Sequence, residues 1–159
     1  PPTVFAELPH LVERAGPGTA GQGDITALYT VLAEGDDPDD PISDGVRGML
    51  DGHVQLDRSI AESGRFPAVH LLQSVSRMLP GCHSEEENKL LSAAKEALSL
   101  YDRMADLVRL GAYQQGSDPA VDRAIAFRNA LEDHLVQCSN RRTEASDAFE
   151  FLQSALARG

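Results

Sequence analysis

Apolar positions in the second half of the chain follow a helical period. From Leu91 to Val108 they recur at alternating spacings of three and four residues, which places them on one face of a helix. Ser84-Glu85-Glu86-Glu87 predicts the capped start of this helix, and Gly111 predicts its end. Two more amphipathic helices are predicted after Ser117-Asp118-Pro119 and after Thr143-Glu144. Their apolar stripes are Ala124, Phe127, Leu131 and Leu135, and Ala145, Ala148, Phe149, Leu152 and Leu156. The three helices are expected to pack as a small bundle.

The first half of the chain has a mixed pattern. Ile25–Leu32 is rich in β-branched and aromatic residues and apolar on both faces, which predicts a strand covered on both sides, as in a parallel α/β sheet. A second strand is predicted over His53–Leu56. Thr3 is predicted to cap a short helix through Glu7 to Arg14, in which Pro9 should end or kink the helix. A second short helix is predicted from Ser43 toward Leu50. Arg65–Pro80 shows no clean period and is predicted to be loop-rich.

Two segments contain motif-like patterns whose context favours ordinary loops. Gly16–Gly23 includes G-x-G-x-x-G, but a dinucleotide site needs a strand before the motif and a helix after it, and here the predicted order is reversed. Between Glu34 and Asp40 lie five carboxylates that could hold a divalent cation. This cluster lacks the glycine and glutamate positions of a calcium loop, so a solvated turn is expected.

Composition narrows the class of protein. The chain has 159 residues with 14 basic and 25 acidic side chains, giving a net charge of −11. One domain, or a domain with a small appendage, is expected at this length. The negative charge disfavours nucleic acid as a partner and allows at most a peripheral contact with a membrane. Two cysteines, Cys82 and Cys138, are too few for a disulfide-based secreted scaffold, so a cytoplasmic protein is expected. The chain begins without methionine and is expected to be part of a longer protein.

Common catalytic motifs are missing from the 159 residues. The sequence contains no G-x-x-x-x-G-K-[ST], H-E-x-x-H, G-x-S-x-G or paired C-x-x-C. The five histidines are scattered, and Cys82-His83 has no second pair at zinc-ligand spacing, so no metal site is predicted. The residues alone therefore indicate only an acidic α/β protein with a helical C-terminal part.

Four ordered segments add a family resemblance. They are PPTVFAELPHLVERAG, GDITALYTVLAEGDDPDDPISD, VRGMLDGHVQLDRSIAESGRFPAVHLLQSVSRMLP and LVRLGAYQQGSDPAVDRAI. Together they resemble the C-terminal half of the type III secretion ATPase family, and GAYQQGSDP looks closer to its flagellum-specific export branch. That family is homologous to the catalytic subunits of rotary ATP synthases. The resemblance covers Pro1 to about Ala126 and is weaker over the last helices.

The resemblance implies a fold and a function. Residues 1–80 would be the C-terminal part of a RecA-like, parallel-sheet nucleotide-binding domain, and residues 84–159 an all-α subdomain. The intact protein would be a cytoplasmic ATPase that uses ATP and Mg²⁺ in a homohexameric ring. It would act with export substrates, chaperones and export-apparatus proteins to unfold and export flagellar subunits. The family's phosphate-binding loop, catalytic glutamate and magnesium-positioning aspartate would lie upstream of Pro1, so the isolated chain is expected to be inactive.

Specific residues match family site positions. Arg77, in Ser74-Val75-Ser76-Arg77, resembles the arginine finger that reaches the γ-phosphate held by a neighbouring subunit. Phe66, followed by Pro67, occupies the position of an adenine-stacking aromatic residue. His134 stands where related sequences tend to have a phenylalanine of the same pocket. The alternatives are a surface salt bridge for Arg77 and core packing for Phe66.

Two further expectations concern the helical part. The loop Gly111–Asp118 lies where ring relatives contact a central stalk, but its low charge favours a plain interhelical connection. The helices could also form a binding or oligomerisation module for export substrates, chaperones or a regulator, without catalysis of its own.

Overall fold

The computed structural model describes residues 2–32, 40–138, 140 and 142–158. Secondary structure in this part of the chain is mainly helical, and its strands are two residues long. In chain order the elements are α1 (Pro2–Val12), α2 (Pro41–Met49), β1 (Gly52–His53), α3 (Arg58–Glu62), β2 (Val75–Ser76), α4 (Glu85–Arg109), α5 (Pro119–Leu135) and α6 (Ala145–Ala157). None of these helices is both long and apolar enough to cross a membrane.

The chain divides into two compact units, Pro1–His53 and Val54–Gly159. The second unit therefore contains the segment before α4 as well as the three long helices. The predicted assignment of residues 1–80 and 84–159 to two domains of the family stays a prediction.

In the first unit, α1 packs against α2. The N-cap of helix α2 is Asp40, three residues before the predicted Ser43, and Asp40 accepts a hydrogen bond from the Ser43 backbone N–H at 2.8 Å. Helix α1 continues through Pro9 to Val12 instead of ending at the proline. Proline removes only one helical hydrogen bond, and less than one turn of helix follows it. Of the acidic cluster predicted to be a turn, residues 34–39 lie outside the described residues.

The strand predicted over Ile25–Leu32 is wrong. Ile25 makes one isolated bridge to Gly16, and the following residues are irregular and mostly exposed, with Leu28 at 97%. A strand exists only when a neighbouring strand pairs with its backbone, and the described residues place none beside this segment. The parallel sheet of the predicted α/β class is likewise not formed by the described residues, and that part of the fold class stays a prediction.

The predicted strand over His53–Leu56 is confirmed only at its first residue, which belongs to β1. Leu56 instead forms an isolated antiparallel bridge with Val69. The predicted loop-rich character of Arg65–Pro80 is confirmed, since β2 is its one regular element.

Helices α4, α5 and α6 begin where their start signals predict, and α4 ends just before Gly111, as predicted. Ser84 and Glu87 form a reciprocal capping box, and Gly111 follows the end of α4 with a φ of +68°, a conformation that glycine adopts easily. Asp118 caps α5, with Pro119 at the first helical position. The three helices contact one another and enclose an apolar cluster made of Ala94, Leu98, Phe127, Leu131 and Ala155. The predicted bundle is confirmed.

The loop between α4 and α5 is ordered by internal hydrogen bonds. The Tyr113 hydroxyl donates to Asp122 Oδ1 at 2.9 Å, and the Gly116 backbone N–H donates to Asp122 Oδ2 at 2.8 Å. These contacts are consistent with the predicted interhelical connection.

The capping box of α4 predicts a pH-dependent contribution to stability. Hydrogen bonds from Ser84 hold the pKa of Glu87 below its ordinary value of 4.5. A carboxylate with a lowered pKa stabilises the folded state above that value and loses the effect as the pH falls through the folded-state pKa. We expect Glu87→Ala to lower the melting temperature at neutral pH. The gap, which is the difference in melting temperature between Glu87→Ala and wild type, should shrink below pH 4.5. Glu86→Ala, in the same turn but outside the capping box, is the matched control. A gap for Glu87→Ala that stays constant with pH would contradict the prediction.

Candidate functional site

The predicted site residues lie in the second unit: Phe66, Pro67 and Arg77 on the segment between α3 and α4, and His134 on α5. The segment between α3 and α4 doubles back on the residues that precede α3. The Asp57 backbone N–H donates to the Ala68 carbonyl at 2.9 Å, and the His70 N–H donates to the Gln55 carbonyl at 2.8 Å. The backbone on either side of Val69 is therefore fixed by antiparallel pairing, although it forms no extended strand.

Phe66 combines a held backbone with an exposed ring. Its carbonyl accepts a hydrogen bond from the Gln137 backbone N–H at 2.9 Å, just after α5 ends. The peptide bond to Pro67 is cis. Phe66 is nevertheless 57% exposed, so its ring is not packed in a core formed by the described residues. An exposed aromatic ring on a fixed backbone is suited to stacking against a flat ligand.

Arg65, next to Phe66, is a candidate residue that the sequence did not single out. It is only 6% exposed, which is rare for an arginine. Its Nη1 donates to the Pro67 carbonyl at 3.1 Å and its Nη2 to the Val69 carbonyl at 2.9 Å. Its Nε lies 2.8 Å from Glu132 Oε2 on α5. The guanidinium thus links the backbone around Phe66 to the helical bundle.

Glu132 has a second arginine partner on its own helix. Its Oε1 lies 2.5 Å from Arg128 Nη1, an ion pair without the alignment of a hydrogen bond. The guanidinium of Arg128 also lies over the ring of Tyr101 on α4, 5.6 Å from its centroid. A cavity of about 50 Å³ is lined in part by Arg65, Arg128 and Asp102, with room for a few water molecules but not for a nucleotide.

Arg77 is exposed and directly follows β2. Ser74 ties the chain on one side: its hydroxyl donates to the His70 carbonyl at 2.7 Å and accepts from the Gln55 N–H at 3.0 Å. On the other side, the Cys82 N–H closes a turn by donating to the Met78 carbonyl at 3.2 Å. The backbone that carries Arg77 is held at both ends, while the side chain reaches the surface.

His134 stacks on an aromatic residue of α6. Its ring and that of Phe151 are nearly parallel, at 7°, with centroids 3.8 Å apart. One face of the imidazole is therefore covered by Phe151, which also packs against the apolar cluster of the bundle. In the sequence, Phe151 is an aromatic residue within an amphipathic helix, a pattern that ordinarily indicates core packing.

The described residues include no group of three or more histidine, cysteine, aspartate or glutamate side chains placed to hold a metal ion. Cys82 and Cys138 are both exposed and unpaired as thiols.

Two family models match the chain in succession. The model of the ATP synthase alpha/beta family, nucleotide-binding domain, matches residues 1–76. The model of the T3SS EscN ATPase C-terminal domain matches residues 83–154. Phe66 and Pro67 lie within the first match and His134 within the second, whereas Arg77 falls between them.

Curated and solved proteins agree with these matches. The chain is 48% identical over 160 aligned positions to the flagellum-specific ATP synthase of Caulobacter vibrioides, covering 98% of the chain and 36% of that protein. It is 47% identical to the enzyme of the same name from Salmonella typhimurium, covering 96% of the chain and 33% of that protein. The assembled ATPase EscN of the enteropathogenic E. coli type III secretion system matches with a TM-score of 0.90 and 38% identity, covering 98% of the chain and 37% of EscN. The chain thus spans about a third of the length of these relatives.

Proposed function

The chain belongs to the type III secretion ATPase family, which includes the flagellum-specific enzymes, and on that basis we propose that it is the C-terminal part of a protein-export ATPase. The intact protein would hydrolyse ATP to unfold and export flagellar subunits. The observation that supports this most directly is the presentation of Arg77: an exposed arginine on a backbone held at both ends.

Arg77 is proposed to act as an arginine finger toward a nucleotide bound by a neighbouring subunit. A guanidinium stays charged and offers a planar fork of N–H donors that matches phosphate oxygens. Its exposed position after β2 is compatible with reaching across a subunit boundary. In this role it would stabilise the charge that develops on the transferred phosphoryl group, and its effect would appear in turnover rather than in ATP affinity.

Phe66, with Pro67, is proposed to contact the adenine of ATP. The chain fits this role because the Phe66 ring is exposed while its carbonyl is held by Gln137. Stacking of an aromatic ring on a base contributes about 1–3 kcal/mol. Mg²⁺ bound with ATP would neutralise phosphate charge in the intact protein. The family resemblance assigns its ligands, the phosphate-binding loop and the catalytic glutamate to residues outside this chain.

We further propose a homohexameric ring in the cytoplasm, with export substrates, chaperones and export-apparatus proteins as partners. EscN, which matches almost the whole chain, has been solved as an assembled ATPase, and this supports a ring in which Arg77 meets a neighbouring subunit. The alternative from the sequence, a helical binding module without catalysis, stays a prediction.

A polypeptide of only these 159 residues is expected to show no ATP hydrolysis. It contains no sequence of the form G-x-x-x-x-G-K-[ST], whose backbone N–H groups hold the nucleotide phosphates in this class of enzyme. Phosphate release by the purified chain, measured at steady state with Mg²⁺ and ATP, should equal the buffer control. The intact protein serves as the positive control. Turnover that copurifies with the 159-residue chain through several columns would contradict the prediction.

A further inference from the structure

The ion pair between Arg65 and Glu132 joins the backbone around Phe66 to helix α5. Arg65 donates to the carbonyls of Pro67 and Val69 and pairs with Glu132 through its Nε. Three of its five N–H donors are therefore engaged, two by the segment that contains Phe66 and one by the helix. Burying a guanidinium to 6% exposure is costly unless its charge is paired and hydrogen-bonded, and these partners meet that need.

The helical side of this connection is itself braced. Glu132 pairs with Arg128 one turn away on α5, and Arg128 lies over the Tyr101 ring on α4. A continuous chain of contacts therefore runs from α4 through α5 to the backbone around Phe66. The Phe66 ring itself is more than half exposed, so little side-chain packing holds it in place.

We propose that Arg65 and Glu132 are positioning residues that set Phe66 against the nucleotide base. This inference rests on the proposed function of Phe66 as a base contact. An exposed ring gains stacking energy only to the extent that its backbone is already in place, because ordering it on binding would cost affinity. The Arg65–Glu132 pair fixes the backbone of Phe66 before the nucleotide binds. Base binding therefore depends on the position of α5.

A double-mutant cycle in the intact protein tests the proposal. The dissociation constant is measured for ATP and for inorganic tripolyphosphate, which has the phosphates but no base. Phe66→Ala should weaken ATP binding by a factor of about 5 to 150, since stacking is lost. Glu132→Gln should weaken it by a factor of about 3 to 10 through misplacement of the ring. Both should leave tripolyphosphate binding unchanged, and the double variant should bind ATP no more weakly than Phe66→Ala alone.

A matched control removes an arginine–glutamate pair of the same chemistry elsewhere. Arg58 Nε and Glu62 Oε1 lie 3.0 Å apart, but their side chains are 75% and 66% exposed. Glu62→Gln should leave both dissociation constants unchanged. Arg65→Lys is the second variant in case Glu132→Gln does not fold. It retains the charge but cannot reach both carbonyls and Glu132 at once, so the same loss of ATP binding with normal tripolyphosphate binding is expected.

Three results would overturn the proposal. Equal weakening of ATP and tripolyphosphate binding in Glu132→Gln would show a general structural role. Full additivity of Glu132→Gln and Phe66→Ala would show that the two act independently. Unchanged ATP affinity in Phe66→Ala would remove the base contact itself, and the positioning role with it. Only the last result also contradicts the proposed function of Phe66, so the two failures are distinguishable.

Discussion

Arg77→Ala in the intact protein is expected to lower ATP turnover by a factor of at least about 10³. A finger stabilises charge that appears only in the transition state, so its loss lowers kcat with little effect on ground-state binding. ATP affinity should stay within a factor of about 3, because the phosphate-binding loop and the Phe66 contact are intact. The measurement combines steady-state phosphate release, nucleotide binding and the melting temperature on one preparation.

Two substitutions serve as controls for Arg77→Ala. Arg77→Lys should restore little turnover, because a point charge on a flexible stem does not reproduce the guanidinium fork. Arg109→Ala removes another exposed arginine, paired with Asp106 one helical turn away, and should leave turnover near normal. A loss in both alanine variants would indicate an effect of net charge rather than of position.

Subunit mixing separates the finger from a salt bridge. Arg77 would act on a nucleotide held by the neighbouring subunit, so its defect and a defect in the phosphate-binding loop lie on opposite sides of a shared interface. Mixing the two kinds of disabled subunit should restore some activity, because some interfaces then pair an intact loop with an intact arginine. Near-normal turnover of Arg77→Ala with a lowered melting temperature would remove Arg77 from the site.

The helical bundle could be predicted from the sequence because its signals are local. The capping box at Ser84 and Glu87 and the left-handed glycine at Gly111 act within one helical turn. Pro119 likewise lies at the start of its helix, where a proline removes no intrahelical hydrogen bond. These residues set where α4 and α5 begin or end, and the period of the apolar stripe sets which face is buried.

The strand predicted over Ile25–Leu32 failed for the opposite reason. Its composition is that of a buried strand, but pairing depends on a partner that lies elsewhere along a chain. In the described residues its backbone has only the bridge from Ile25 to Gly16. Strand propensity alone contributes too little free energy to form a strand when no neighbouring strand pairs with the segment.

The candidate site likewise depends on contacts between residues far apart in the sequence, which local sequence patterns do not predict. Arg77 and Phe66 were identified through resemblance to a family, since neither has a spacing that indicates its role. Arg65 and Glu132 were missed because an arginine and a glutamate far apart in sequence each look like surface residues. Only the fold brings their side chains within 2.8 Å and buries the arginine.

The second large effect is expected in the core of the bundle. Phe127 is 3% exposed and lies in the apolar cluster shared by α4, α5 and α6. Phe127→Ala removes a buried ring and leaves a cavity, which typically lowers the free energy of unfolding by about 3–5 kcal/mol. Because domains of this kind are stable by only about 5–15 kcal/mol, the change should remove about a fifth or more of the total. Urea denaturation of the 159-residue chain, followed by circular dichroism, measures it.

Phe66→Ala is the matched control, since it makes the same change in the same compact unit at a ring that is largely exposed. Its loss of unfolding free energy should be about 1 kcal/mol or less, because an exposed ring leaves no cavity when it is removed. The two variants therefore test different properties of two phenylalanines. Phe127→Ala should weaken the fold, and Phe66→Ala in the intact protein should weaken nucleotide binding while the fold stays near wild-type stability. Equal loss of stability in both would contradict the difference in burial from which both predictions are drawn.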